Sequence, residues 1–523
     1  MQIIITTSGI GSRLGSLTKK TNKCLVRVGD KYVIDYIINS YINKDVEFIF
    51  TIGYKGEYVK QYIEIVYKDK IKYKFIYVDK FDGPGSSLGY SLLQIKDYIT
   101  GPFIFHCNDT IIYENIDIEK LNENTLFLFE DNDSSQYASV NTNNKIINKI
   151  NEKGELEYDY IYIGVACIFE FKIFFEVLRE LYVNNPNNTS LSDIHIYRKM
   201  LNNNIIFKGK NIEKYCDIGN IKKYNDANKI FKSNYNVLQK EEESISFLDN
   251  KVIKFFTDKN INLKRVERTK YFPEGLIPKI FNYSDNYFSM ELIKGTILSE
   301  KYSKNLIINL LDYMFSHFWN KTFEDVNFKD TCYKFYHDKT IDRINKGLDK
   351  KVTIDYDIIN GEQIGDIFSL IKKINFNDLC LDKPTLFHGD FILDNILLNE
   401  KNEYCLIDWR QDFQGNIEYG DMYYDLAKLR HNLQFNHENI DQNLFTIKDI
   451  NQSTCIVDMK CNLFLMKQLE EFDNYILNKG LNLEKIKLLN AIIWINMSPL
   501  HSYPLSNFLF NLGKLNLHNT LKI

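Results

Sequence analysis

The nine cysteines of this 523-residue chain include no pair in C-x-x-C spacing; they fall singly at 24, 107, 167, 216, 332, 380, 405, 455 and 461. That argues against a zinc knuckle or a redox dithiol, and an odd number of scattered thiols is expected in a reducing cytosol. Long apolar runs are missing too. The first one ends within a few residues at "TTSG", too early for a secretory leader. The greasiest stretch, "YIYIGVACIFEFKIFF", is broken by Glu170 and Lys172, which argues against a membrane span. Neither sign of charge is in excess: 65 Lys and Arg against 69 Asp and Glu leave a formal net charge of −4. No footprint for nucleic acid or an anionic membrane follows. Repeats and low-complexity tracts are not evident. The expectation is a soluble, cytoplasmic protein whose partners are small molecules.

What is there suits several cores: 44% hydrophobic and 26% charged residues, at a length that allows two or three domains of ~100–200 residues each. Residues 1–120 alternate strand-like and helix-like segments, from "QIIITT" through "VIDYIINSYIN", "VEFIFTIGY", "GEYVKQYIEIV", "YKFIYVD" and "SSLGYSLLQIKDYI" to "GPFIFHCND". That rhythm predicts a mainly parallel sheet covered by helices, with ligands beyond the carboxyl ends of its strands. The pattern loosens in "DANKIFKSNYNVLQKEEES". We therefore divide the chain into a first domain over 1–232, a linker over 233–243 and a second domain over 244–523. "SISFLDNKVIKFF" reads as two strands around an Asp-Asn turn, opening a small β-rich lobe over about 244–295. Beyond it, a large lobe over about 296–523 has mostly helical spacing, except for a hairpin made of "NILLNE" and "EYCLIDW".

In "TTSGIGSRLGSLTKKTNKCLVRVGDK" a strand feeds a loop whose glycines let backbone N–H groups approach an anion. Arg13 and Lys23 can offset the charge of a triphosphate. Strand, Gly-x-Gly-x-Arg and a lysine ten residues on resemble the signature of the sugar-phosphate nucleotidyltransferases. The resemblance implies nucleotide contacts from Ser8, Gly9, Gly11 and Ser12, and again from Gly83, Gly85, Ser86 and Ser87 of "GPGSSLGYSL". It implies catalytic roles for Arg13 and Lys23, Mg2+ ligation by Asp109 and Asp217, and acceptor contacts from Glu152, Lys153 and Gly164. This sequence departs from the family's usual pattern at Thr6-Thr7, at Asn22 for a proline, at Asn108 for a glycine, and at Gly154 for the proline after Glu-Lys.

"HGDFILDN" has the H-x-D-x-x-x-x-N spacing of a kinase catalytic loop. Asp390 would take the proton of an acceptor hydroxyl, His388 would brace the loop, and Asn395 and Asp408 would hold Mg2+. Together with "IDW" and "YYDLAKL" the motif resembles the aminoglycoside phosphotransferase and choline kinase family, which phosphorylates small molecules. The resemblance gives Asp425 a loop-holding role, makes Lys254 the phosphate clamp with Glu267 as its helix partner, and places adenine against Glu291 and Leu292. Trp494, His501 and Tyr503 are candidates to line the acceptor pocket. The expected fold is a Rossmann-like nucleotidyltransferase domain followed by a bilobal kinase-like domain. The expected activity is phosphorylation of a small hydroxyl compound by ATP followed by nucleotidyl transfer from a second NTP, preferably CTP. Two alternatives stay open: a nucleotidyltransferase with a regulatory pseudokinase module, and use of UTP or dTTP on a sugar 1-phosphate.

Overall fold

The computed structural model describes residues 1–235, 240 and 242–522. Residues 236–239 and 241 of the expected linker lie outside the described residues. Two compact units form: Met1–Asn262 with Ile280–Glu291, and Leu263–Lys279 with Leu292–Ile523.

The first unit is built on a nine-stranded sheet. Its order is Lys72–Tyr77, Glu47–Ile52, Gln2–Thr6, Phe103–Cys107, Tyr160–Ile168, Thr125–Phe129, Lys208–Asn211, Ile146–Ile150 and Ser139–Asn143. The first four strands run parallel, as their β-branched runs and intervening helices require, and Tyr160–Ile168 turns the sheet antiparallel. Gln2–Thr6 and Phe103–Cys107 are adjacent and parallel, so the loops after them leave the same sheet end. Those loops carry the two glycines of the first motif and Asp109.

A second sheet in this unit follows the order Glu243–Leu248, Lys251–Phe256, Tyr287–Glu291, Ile280–Tyr283. The Asp-Asn turn takes positive φ at both residues, 50° at Asp249 and 60° at Asn250, the geometry of a two-residue hairpin turn. By packing, this sheet belongs with the first unit. Leu248, Ile253, Phe255 and Tyr287 share an apolar core with Val33, Phe50 and Tyr62. Gln61 Oε1 accepts the Asn286 N–H and the Ser284 hydroxyl, each at 2.9 Å. Beneath that seam Asp35 is fully buried, accepting from the Tyr62 and Tyr67 hydroxyls and from the Tyr32 N–H.

The second unit is mainly helical, with Leu306–His317, Lys339–Asp349, Met422–Gln434, Leu463–Asn478, Leu483–Met497 and Leu505–Leu521 as its longer helices. The predicted hairpin is present as Ile396–Asn399 and Tyr404–Leu406, extended by Gly295–Ile297. A further hairpin, Phe445–Asn451 with Thr454–Met459, was not predicted; its residues are largely solvent-exposed, so its apolar alternation is weak. Among the described residues no helix is long and apolar enough to cross a membrane.

Candidate active sites

The first loop is fixed by polar contacts under it. Asn22, standing where the family has proline, is fully buried and donates to the Thr7 carbonyl at 2.8 Å and the Tyr54 carbonyl at 2.7 Å. The amide thus closes the loop that a proline ring would close by stiffness. Gly11 sits at φ 70°, with Lys23 Cβ only 3.1 Å from where a Cβ would stand. Ser8 meets Ser91 at 2.8 Å, tying the first loop to the helix Leu88–Gln94. That helix is capped by Ser87, which accepts from the Tyr90 N–H, and preceded by Gly83 and Gly85 at positive φ. The two glycine loops are therefore neighbours, with Ser86 donating back to the Gly83 carbonyl at 2.7 Å. Gly9 and Ser12 lie in the first loop with Gly9 exposed and free of close neighbours.

Charges converge beside this loop. Lys23 Nζ lies 2.5 Å from Asp109 Oδ2. The point where a Cβ would stand on Gly219 is 3.1 Å from Asp217 Oδ1, 3.7 Å from Asp109 Oδ2 and 4.0 Å from Arg13 Nη1. Both acids and the arginine thus surround one spot that glycine leaves clear. The convergence comes from a small antiparallel pairing, Asp217 opposite Thr110. Burial raises the Asp109 carboxyl, but the charge and hydrogen bond of Lys23, with Arg13, outweigh it and hold the pKa below the usual range. Burial, then repulsion from Asp109, pushes Asp217 up. Asp217 also accepts from Tyr137, from Tyr215 at 3.1 Å and from the Gly219 N–H at 2.7 Å. Neither tyrosine carried a sequence signal.

Gly164, at φ 81°, backs the same corner; a Cβ there would stand 3.0 Å from Cys107 and 3.3 Å from Thr110 Oγ1. Glu152 and Lys153 are placed differently from the expectation. Both are exposed on a turn, Glu152 is engaged by Arg198 at 2.5 Å, and neither forms a hydrogen bond or ion pair with Asp109, Asp217, Arg13 or Lys23 among the described residues. Gly154 at φ 81° makes that turn where proline was the usual residue.

In the second unit the H-G-D segment is locked from behind. Asp425 is fully buried and accepts the His388 N–H at 2.6 Å and the Gly389 N–H at 2.7 Å. Burial lowers His388 to about 4. Its Nε2 faces the Ile407 carbonyl at 3.0 Å and its Nδ1 accepts the Asp390 N–H at 3.2 Å, which assigns the neutral Nε2–H tautomer. Gly389 has φ 89°, and a Cβ there would come 2.5 Å from Arg410 Cβ. Asn395 donates to the Asp390 carbonyl at 2.9 Å and carboxylate at 3.1 Å, leaving its own Oδ1 as an acceptor. The Ile407 N–H donates to the Asn395 carbonyl at 2.9 Å, so the hairpin sets Asp408 beside Asn395. Burial raises Asp390, but Lys428 at 2.8 Å outweighs it and holds the carboxyl low, against repulsion from Asp408. Arg265 Nη1 lies 2.5 Å from Asp408 Oδ1.

Glu267 requires a correction. It faces solvent, 3.6 Å from Lys270, while Arg265 and Arg268, three residues apart on one helix face, point inward. Arg268 is 1% exposed and donates to the carbonyls of Phe387, Ile417 and Arg410, clamping the loop from which Asp390 projects. Lys254 is buried on the interior strand Lys251–Phe256 of the small sheet, and Glu291 ends Tyr287–Glu291 in the same unit; Leu292 begins the next segment of the second unit. Of the candidates for the acceptor pocket, Trp494 is fully buried, Tyr503 is 57% exposed, and among the described residues no ring contact joins them to His501. Lys428 was legible only in retrospect, one turn after Asp425 in "YYDLAKL".

Both donor sets fit Mg2+, a hard cation that takes one or two carboxylates and completes its shell with substrate phosphates and water. Asp109 and Asp217 gather around one cleared spot in the first unit, and in the second unit the bond from the Ile407 N–H to the Asn395 carbonyl sets Asp408 next to Asn395 in the loop.

Comparison with known proteins finds two matching regions. Residues 2–234 match the family model for nucleotidyl transferases, and residues 371–442 match that for the phosphotransferase enzyme family. The chain is 32% identical over 233 residues to the bifunctional protein GlmU of Methanococcus aeolicus, covering 44% of this chain and 54% of that protein. It is 27% identical over 128 residues to the choline-phosphate cytidylyltransferase of Streptococcus pneumoniae, covering 24% and 52%. It is 31% identical over 150 residues to the D-glycero-alpha-D-manno-heptose 1-phosphate guanylyltransferase of Campylobacter jejuni, covering 27% and 63%. The chain spans about half the length of the curated relatives it matches. The chain thus joins a region similar to nucleotidyl transferases to one similar to the phosphotransferase enzyme family.

Proposed function

We propose that the chain phosphorylates a small hydroxyl compound with ATP and then transfers a nucleotidyl group to the new phosphate, giving an NDP-linked product and pyrophosphate. One observation carries this reading: Asp109, Asp217 and Arg13 surround one cleared point in the first unit, and Asp390 is bonded to Asn395 and Lys428 in the second. In the second unit Asp390 orients the acceptor hydroxyl and takes its proton as the oxygen bonds to the γ-phosphorus and ADP leaves. Its lowered pKa keeps it ionised at neutral pH. Asn395 and Asp425 hold that loop still, which is what phosphoryl transfer chiefly asks of a protein.

In the first unit an oxygen of the phosphate monoester attacks the α-phosphorus of the second NTP, the bond to the β-phosphate breaks, and pyrophosphate leaves. No general base is needed, because the attacking phosphate is already largely ionised at pH 7. Arg13 and Lys23 stabilise charge on the triphosphate, and the two glycine loops bring backbone N–H groups to it. Asp109 and Asp217 would hold Mg2+, as Asn395 and Asp408 would in the second unit; when bound, the ion neutralises phosphate charge and aligns the reactants.

Similarity to a cytidylyltransferase supports CTP as the second nucleotide; UTP and dTTP are the alternatives. An NDP-linked product of this kind suits assembly of a surface polysaccharide. The test is mass spectrometry of the full chain incubated with ATP, four NTPs, Mg2+ and a panel of polyols, sugars and amino alcohols. A new NDP conjugate is expected. Consumption of ATP with no pyrophosphate from any NTP and any phosphorylated acceptor would reduce the first half to a binding module.

A further inference from the structure

Beside Asp390 the second unit gathers more positive charge than its own carboxylates neutralise. Lys428 is spent on Asp390, 2.8 Å away. Three further cations stand near it. Lys339 Nζ lies 3.9 Å from the centre of the Phe335 ring and 5.7 Å from that of Tyr424. Arg410 Cζ lies 5.2 Å from the same Phe335 ring. Its backbone N–H donates to the His388 carbonyl at 3.0 Å, which fixes the residue against the H-G-D loop, and its Nε donates to the Asp412 carbonyl at 3.0 Å. Arg343 follows Lys339 by four residues and so shares its helix face.

None of Lys339, Arg343 and Arg410 has an ion pair with a carboxylate among the described residues. The nearby acids are engaged elsewhere: Asp412 by Lys264 at 2.8 Å, Asp342 by Lys346 at 2.7 Å, Asp425 by the loop N–H groups. The cluster is electrostatically strained. Burial, then the charges of Arg410, Arg343 and Lys428, push Lys339 well below its ordinary value, and burial with Arg410 lowers Arg343. Like charges held together at partly buried positions repel more strongly than in bulk solvent. Such an arrangement is stable only if something else repays it. The helix bearing both residues is entered through a π-helical turn, Lys334–Asp338, a feature often found where a backbone has been re-aimed for function.

We propose that Lys339, Arg343 and Arg410 bind the anionic group of the kinase's acceptor, so that the compound phosphorylated is a hydroxyl compound bearing a carboxylate or a phosphate. This deepens the kinase reading above and rests on it. It selects sugar acids, hydroxy acids or sugar phosphates among small hydroxyl compounds, and it disfavours cationic amino alcohols. The aromatic rings under Lys339 and Arg410 serve as a floor for the cations and do not form a cage for a quaternary amine. The anion would sit on the helical side, with the hydroxyl reaching Asp390. The γ-phosphate of ATP is left to the groups that handle the donor.

The experiment measures ADP formation by the full chain with ATP and matched trios: glycerol, glycerate and glycerol 3-phosphate; glucose, gluconate and glucose 6-phosphate; with choline and ethanolamine as cationic members. The anionic compounds are expected to exceed the neutral ones in kcat/KM by about 10- to 100-fold, the scale of one or two charge-assisted hydrogen bonds. The acid and phosphate arms separate the two sources of charge. Lys339→Met and Arg343→Gln should each raise acceptor KM by about tenfold or more while ATP KM stays within about twofold, and Arg343→Lys should recover part of the loss. A neutral or cationic compound as the preferred acceptor would overturn the inference and leave the kinase standing. So would a rise in ATP KM alone, which would assign the cations to the donor. ADP formation from no hydroxyl compound at all would overturn the kinase itself, and this inference with it.

Discussion

Replacing Asp425 by alanine tests what holds the H-G-D loop. The carboxylate is fully buried, and both its oxygens accept loop N–H groups, from His388 at 2.6 Å and Gly389 at 2.7 Å. A hydrogen bond to a charged group contributes about 1.5–3 kcal/mol, and a buried donor left unpaired costs a similar amount. Two such bonds on one side chain put the loss for Asp425→Ala at roughly 3–5 kcal/mol, a large part of the ~5–15 kcal/mol that holds a domain together. Asp425→Asn offers one oxygen to two donors and should lose about half as much. A pH signature accompanies this. Burial pushes the Asp425 carboxyl up to about 7, although the His388 and Gly389 bonds and Arg268 pull against it. The folded unit therefore binds this proton more tightly than the unfolded chain, whose aspartates titrate near 3.8. The resulting stability is fully present below that lower value and is lost as pH rises through about 7. Asp425→Asn should remove this contribution and flatten the slope. The assay is urea denaturation at pH 5 and pH 8 followed by tryptophan fluorescence. All three tryptophans, Trp319, Trp409 and Trp494, lie in the second unit, so the signal reports that unit alone. Alanine and wild-type chains with the same midpoint, or an unchanged difference between the two pH values in Asp425→Asn, would refute the reasoning.

Asp390→Asn should cut ADP formation by about 10²- to 10⁴-fold, the usual yield of a positioned base; pyrophosphate release from a supplied phosphate monoester should stay unchanged, which a coupled phosphate assay checks. Asp217→Asn should do the reverse, abolishing pyrophosphate release while ADP formation continues, and EDTA should stop both reactions until Mg2+ is restored. In the first unit, Tyr62→Phe removes one of the donors to buried Asp35, whose carboxyl burial already raises to about 6. Calorimetry should show the first unit destabilised by about 1–1.5 kcal/mol with the second unit's transition unmoved.

Most of what was legible in the sequence was local. β-branched runs between glycine loops fixed the parallel strands from Gln2–Thr6 to Phe103–Cys107, and the Asp-Asn pair fixed the hairpin at 249–250 because both residues tolerate positive φ. Motif spacing singles out Asp390, Asn395 and Asp408, since the chemistry constrains residue type and order, while Asp109 and Asp217 come from the family resemblance. Partners from distant segments were invisible. Tyr137 reaches Asp217 across 80 residues of chain, and Arg268 reaches the Phe387 carbonyl across 119. Residue type alone points to Glu267, whereas helix phase puts Arg268 inward and turns Glu267 out. Asn22 shows another case, a departure from the usual proline whose amide donates to the Thr7 and Tyr54 carbonyls under the loop. The cationic group around Lys339 could not be read from spacing, since Arg410 comes from a different part of the chain.

The order of the two reactions can be read from the path of one atom. With [γ-32P]ATP, an acceptor alcohol, unlabelled CTP, UTP and dTTP, and Mg2+, the phosphorus passed by the kinase should end inside the pyrophosphate bridge of the NDP-linked product. There it resists phosphatase until that bridge is cleaved. An NDP-linked product without label, or label that stops in a monoester with no NTP able to carry it further, would contradict the tandem account.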